Sequence, residues 1–74
     1  MKYQYIFRRL GKEIARIRKE RNLSQENLAF EAYVDRSCLA LIEEYKINST
    51  LKTLLKISYA LKIKLSDLFI AIGQ

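Results

Sequence analysis

The sequence predicts an all-α fold of five short helices. Its 74 residues contain no proline and only two glycines, so a turn-rich β fold is disfavoured. Apolar residues recur at intervals of three or four positions in successive segments, which is the period of an amphipathic helix. Three of these segments are preceded by good N-cap residues, and each cap is flanked by an apolar pair at the spacing of a hydrophobic staple.

The first two helices are predicted from an apolar stripe and from a cap. A helix over about 4–21 turns one stripe to the core, and Asn22 suits the left-handed position that ends it. The second helix covers about 24–32, with Ser24 as N-cap and with Leu23 and Leu28 as the staple. The stripe of the first helix comprises Ile6, Phe7, Leu10, Ile14 and Ile17.

The third helix begins after Val34, with Asp35 as its N-cap. Leu39 and Ile42 are expected to face the core. Only a short turn separates this helix from the second one, and Ala29 is small enough to let the two helices pack closely. The two helices therefore have the layout of a helix-turn-helix. The outward positions of the third helix are Arg36, Ser37, Ala40 and Leu41.

The last two helices complete the predicted fold. The fourth covers about 50–61, and Lys62 stands where a left-handed residue would end it. The fifth starts with Ser66 as N-cap, between the staple residues Leu65 and Ile70. The buried stripe of the fourth helix is expected to comprise Leu51, Leu54, Leu55, Ser58 and Leu61.

Composition narrows the class of function. Fourteen Lys and Arg against eight Asp and Glu give a net charge of +6, which favours nucleic acid or an anionic membrane surface as partner. The absence of histidine and the single cysteine argue against an enzyme, an internal disulfide and a metal site. The adjacent Glu43 and Glu44 point to different helix faces. No apolar run approaches the roughly 18 residues of a membrane span, so we expect a cytoplasmic protein.

Four blocks in order carry a family resemblance. The first is Leu-Ser-Gln-x-x-Leu-Ala, which starts at Leu23, and the second is Val-Asp-Arg-Ser, which starts at Val34 and is followed by Ile42 and Glu43 at the family's spacing. The third is Asn-Ser-Thr-Leu, which starts at Asn48, and the fourth is Leu-Ser-Asp-Leu-Phe, which ends at Phe69. The chain resembles the Cro/CI-type helix-turn-helix regulators, the XRE family. The resemblance implies one lambda-repressor-like DNA-binding domain over 1–74. Its helix-turn-helix lies at about 24–44, and its dimerisation region lies at about 63–74.

The resemblance also implies roles for individual residues in binding double-stranded DNA. Arg36 and Ser37 would read bases, with Arg36 contacting guanine, and Leu41 would pack on a thymine methyl unless it is a core or dimer residue. Arg18 and Glu43 would form a buried ion pair. Ala40 would let the helix sit deep, and phosphate contacts would come from Gln25, Lys46 and Asn48.

A homodimer is expected, because two copies can read a palindromic operator. The apolar terminal helix offers a dimer interface of Leu68, Phe69, Ile70 and Ile72. We therefore expect an autoregulatory transcription regulator that needs no cofactor, small-molecule ligand or membrane. The controller proteins of restriction–modification systems and small phage repressors are alternatives within this class. An antitoxin-like protein-interaction module of the same fold is the alternative outside it.

The sequence departs from the family pattern at three helix ends. Tyr33, Tyr45 and Lys62 stand where the family commonly has glycine. If the turns are retained, these residues must adopt positive φ, at about 1 kcal/mol or more each.

Overall fold

The computed structural model describes residues 3–47 and 49–73, and the predicted site residue Asn48 lies outside this part of the chain. The described part confirms the predicted all-α fold. Five helices follow one another: α1 (Gln4–Glu20), α2 (Gln25–Ala32), α3 (Arg36–Glu43), α4 (Leu51–Ala60) and α5 (Leu65–Ala71). Helix α1 packs against α3 and α5, α2 packs against α3 and α4, and α4 packs against α5.

All five helices contribute to one core. The periodic stripes of α1 and α3 are buried largely as predicted, although Ile6 and Phe7 at the start of α1 are only partly buried. None of these five helices is both long and apolar enough to cross a membrane. The buried apolar residues are Leu10, Ile14, Ile17, Leu28, Ala29, Ala32, Leu39, Ile42, Leu54, Ile57, Leu61, Leu68 and Ile72.

Side-chain caps begin two of the helices. The backbone N–H of Asn27 donates to Ser24 Oγ at 2.9 Å, and the backbone N–H of Thr53 donates to Thr50 Oγ1 at 3.2 Å. Each bond satisfies a donor that the first helical turn leaves unpaired. Asp35 is the N-cap residue of α3 as predicted, but its side chain makes no capping hydrogen bond.

The predicted start of α5 is wrong. The N-cap is Lys64, and Ser66 lies within the first turn of the helix. Helix α5 must already be formed at Leu65, because its partly buried Leu65 and its buried Leu68 and Ile72 share the face that packs on the core. Ile70 then points away from the core, so it is not the staple partner of Leu65.

The predicted buried stripe of α4 is also wrong in part. Leu51 and Leu55 are 63% and 49% exposed, whereas Ile57, which the prediction omitted, is fully buried. Both the predicted and the observed stripe contain Leu54, Ser58 and Leu61. Periodicity therefore locates the middle of the buried face, but it does not decide which flank is covered by neighbouring helices.

Helices α1 to α4 end in the same way, with a residue other than glycine in the left-handed region. The φ angles are 58° at Asn22, 58° at Tyr33, 63° at Tyr45 and 60° at Lys62, as the sequence predicted. After each of them, the next backbone N–H donates to the carbonyl five residues earlier, over 2.8–3.1 Å. This is the Schellman motif, which satisfies carbonyls at the helix end.

Lys62→Gly is expected to stabilise the domain, because glycine has no Cβ to oppose positive φ. We expect the free energy of unfolding in urea to rise by about 0.5–1 kcal/mol. Lys56→Gly, which makes the same replacement inside α4, is the matched control and should lower it by about 1 kcal/mol. A loss of stability in both variants would contradict the strain that we assign to Lys62.

Candidate nucleic-acid interface

The turn between α2 and α3 comprises residues 33–35. Tyr33 reverses the chain in the left-handed conformation, and the partly buried Val34 packs against the core. Ala29 is only 3% exposed and lies on the face of α2 that α3 and α4 cover. The short turn and the small residue hold the two helices close together, as in a helix-turn-helix.

Helix α3 has one buried face and one open face. Leu39 is fully buried and Ile42 is 3% exposed, whereas Arg36 and Ser37 at the beginning of the helix are exposed. Leu41 is 39% exposed, which excludes the alternative that it belongs to the core. Ala40 is half-buried, and Lys46, after the helix, is exposed. The open face is free to meet a partner along the first two turns.

A bidentate ion pair attaches the end of α3 to α1. Arg18 Nε lies 2.8 Å from Glu43 Oε2, and Arg18 Nη2 lies 3.0 Å from Glu43 Oε1. Both residues are 8% exposed. The planar guanidinium matches the carboxylate in this geometry, so the pair constrains direction as well as distance.

Two further hydrogen bonds complete this network. Arg18 Nη1 donates to the backbone carbonyl of Leu23 at 2.8 Å, and Gln25 Nε2 donates to Glu43 Oε1 at 2.9 Å. The network therefore connects α1, the loop that leads to α2, the start of α2 and the end of α3. The family resemblance implies a phosphate contact for Gln25, whereas the observed bond of its side chain is to Glu43 of α3, the recognition helix of a helix-turn-helix.

Gly11 is a positioning residue that the sequence analysis missed. A Cβ at this position would lie 2.3 Å from the backbone oxygen of Ile42 and 3.3 Å from the Cα of Glu43. Only glycine lets α1 approach α3 this closely. A lone glycine within the apolar stripe of a long helix was the signal that could have identified it.

The structure leaves only part of the predicted dimer interface at the surface. Leu68 is fully buried and Ile72 is 6% exposed, so both belong to the core of the single chain and leave almost no surface for a second copy. The reason is that α5 turns this stripe towards the helices it packs on, α1 and α4. Ile70 is 70% exposed and Phe69 is half-buried, so the predicted seam is reduced to these two residues.

Arg18→Met should destabilise the domain strongly, because it leaves the Glu43 carboxylate buried without its cation. We expect a decrease of about 3–5 kcal/mol in the free energy of unfolding. Arg16→Met is the matched control: Arg16 pairs with Glu13 and Glu20 on the exposed side of α1, where water screens the charges. Equal decreases in the two variants would show that the buried pair has no special structural role.

Comparisons with known proteins agree with this geometry. A helix-turn-helix family model, HTH_3, matches residues 14–68. The control protein C.MunI of Mycoplasma sp is 44% identical over 62 residues, which cover 82% of this chain and 84% of that protein. The immunity repressor protein of Bacillus phage phi105 is 46% identical over 57 residues, which cover 77% of this chain but only 40% of the repressor.

A solved structure has the same all-α fold. The restriction–modification controller protein C.AhdI from Aeromonas hydrophila superposes with a TM-score of 0.83 and is 33% identical. The match covers 86% of this chain and 97% of C.AhdI. A control protein, a repressor and a controller protein are regulators and not enzymes. The chain belongs to the XRE-type helix-turn-helix family of DNA-binding transcription regulators.

Proposed function

We propose that the chain is a homodimeric regulator that binds a palindromic operator and controls its own promoter. The observation that carries the proposal is the open face at the start of α3, held by a buried network at the other end of the same helix. A helix fixed in this way can enter the major groove with its N-terminal residues at the base edges.

The base contacts are assigned to four residues of α3. Arg36 donates two hydrogen bonds to O6 and N7 of a guanine, and Ser37 contacts a neighbouring base. Leu41 packs on a thymine methyl one turn later, and the small Ala40 allows the helix to lie close to the bases. The exposure of Arg36, Ser37 and Leu41 supports these roles.

The phosphate contacts are assigned to residues on either side of α3. Gln25 lies at the start of α2, the helix that crosses the DNA backbone in a helix-turn-helix. Lys46 is exposed in the loop after α3, and Asn48 follows it in the sequence. Contacts of this kind fix the register of the protein on the duplex and carry no sequence information.

Two copies meet through the dimerisation region at about 63–74. Ile70 exposes an apolar side chain on α5, and a second copy would remove that surface from water. A two-fold arrangement presents two α3 helices to successive major grooves, about one helical turn apart. The operator should then be a palindrome.

Within the family, we propose that the chain is of the restriction–modification controller type. The support is that the control protein C.MunI and the controller protein C.AhdI are 44% and 33% identical to this chain, over 82% and 86% of its length. We also propose that the chain controls its own promoter, so that protein concentration sets the occupancy of the operator.

Selection of bound duplexes from a random pool tests the proposal. The purified chain should enrich a symmetric motif with two half-sites about 10 base pairs apart, centre to centre. Enrichment of a single, asymmetric half-site would contradict the palindrome and the dimer. An absence of enrichment would contradict sequence-specific regulation and favour the antitoxin-like interaction module.

Arg36→Ala should weaken binding to the selected operator by about 1–3 kcal/mol and relax the preference at one position in each half-site. Fluorescence anisotropy with duplexes that carry each of the four base pairs at that position measures both effects. Lys46→Ala provides the comparison, because removal of a phosphate-binding side chain should weaken binding to all sequences alike. The assignment fails if Arg36→Ala also weakens all of the duplexes equally.

Ile70→Asp should convert the dimer into a monomer, because a charge cannot be buried in an apolar seam without a partner. Light scattering at micromolar concentration measures the mass of the particle. Phe30→Asp removes an apolar side chain of α2 that is 82% exposed and should leave the dimer unchanged. An unchanged mass for Ile70→Asp would contradict the proposed seam.

A further inference from the structure

Three arginines of α1 have partners within the protein. Arg18 is held in the buried ion pair, and Arg16 bonds Glu13 and Glu20 on the exposed surface. The hydrogen bond from Arg16 lowers the pKa of the Glu13 carboxyl below its ordinary value. Arg9 Nη1 donates to the backbone oxygen of Ile72 at 3.2 Å, next to α5. These cations are therefore largely committed to contacts within the chain.

Lys12 and Lys19 differ from these arginines. Both are exposed, and no carboxylate of residues 3–47 or 49–73 forms an ion pair with either ammonium group. They are seven residues apart, which places them on one side of α1 about 10.5 Å apart along its axis. Within the described residues, the two lysines therefore present a pair of positive charges without a carboxylate partner on one side of α1.

The same two lysines line a shallow groove between α1 and the helix-turn-helix. Gln25 at the start of α2 and Tyr45 after α3 line it as well. In a helix-turn-helix on DNA, the first helix crosses the backbone while the second lies in the major groove. The start of α2, and with it this groove, then faces a backbone strand beside the bases that Arg36 reads.

We propose that Lys12 and Lys19 bind backbone phosphates of the duplex and extend the interface from the helix-turn-helix to α1. This inference rests on the proposed placement of α3 in the major groove. Lysine suits the role because its ammonium group is a compact charge on a flexible stem and needs no fixed geometry. The contacts add affinity but do not distinguish sequences.

One acidic residue opposes this interaction. Glu44 lines the same groove and is exposed, so its carboxylate lies near the phosphates that the lysines attract. Glu43 does not oppose it to the same extent, because Arg18 pairs with its charge. Glu44→Gln should therefore strengthen binding to any duplex, by the removal of a repulsion.

The dependence of binding on salt tests the proposal. The association constant of the Lys12→Gln/Lys19→Gln variant is measured by anisotropy between 50 and 300 mM KCl, on a fluorescein-labelled selected operator and on a random duplex of equal length. The slope of log K against log salt should become shallower by about 0.9 for each phosphate that the variant no longer neutralises, or about 1.8 for each protomer. At 0.1 M KCl this equals about an eightfold decrease in affinity for each lysine.

The control has the same change in net charge. Lys56→Gln/Lys62→Gln removes two lysines, one in α4 and one directly after its C-cap, and it should leave the slope close to that of the unaltered chain. Equal slopes for the two double variants would overturn the proposal, as would an affinity of Glu44→Gln no higher than that of the unaltered chain. Failure of the proposed function is a separate result: the unaltered chain would then bind the selected and the random duplex equally.

Discussion

The orientation of α3 depends on the buried pair of Arg18 and Glu43. A buried ion pair is a weak source of stability, because desolvation of both charges offsets most of their attraction. Its bidentate geometry does fix the angle between two helices, which an apolar contact of similar size would leave less defined. Bonds from Arg18 to Leu23 and from Gln25 to Glu43 satisfy further polar groups of the network. The open face of α3 is thus presented at one angle.

Helix α1, which carries Arg18 of this pair, packs on both α3 and α5. Its apolar stripe supplies three residues of the core, and Gly11 lets α3 approach its backbone. Arg9 bonds the end of α5, so the same helix also contacts the element that we propose as the dimer seam. Helix α1 would then fix the angle of each α3 helix and, through α5, the distance between the two α3 helices of the dimer.

Local signals predicted much of the fold. Apolar period identified the five helices and Ser24 marked the start of α2, whereas positive φ at Tyr33, Tyr45 and Lys62 was predicted from the positions where the family commonly has glycine. The errors arose where neighbouring helices decide the outcome. The choice between Leu55 and Ile57 in α4 depends on which flank α2 and α5 cover, and the burial of Leu68 depends on how α5 is rotated. The family resemblance, rather than periodicity, supplied the pair of Arg18 and Glu43 and the roles at the site.

The most direct test of this account replaces the pair with apolar residues of similar volume, as Arg18→Met/Glu43→Leu. The double variant should remain folded with nearly unchanged or higher stability, because no buried charge is left without a partner. The quantity to measure is the ratio of its affinities for the selected operator and for a random duplex. We predict that this ratio falls at least tenfold, on the order of 1.4 kcal/mol, because α3 loses its fixed angle. An unchanged ratio in a folded variant would contradict the claim that the pair orients the recognition helix.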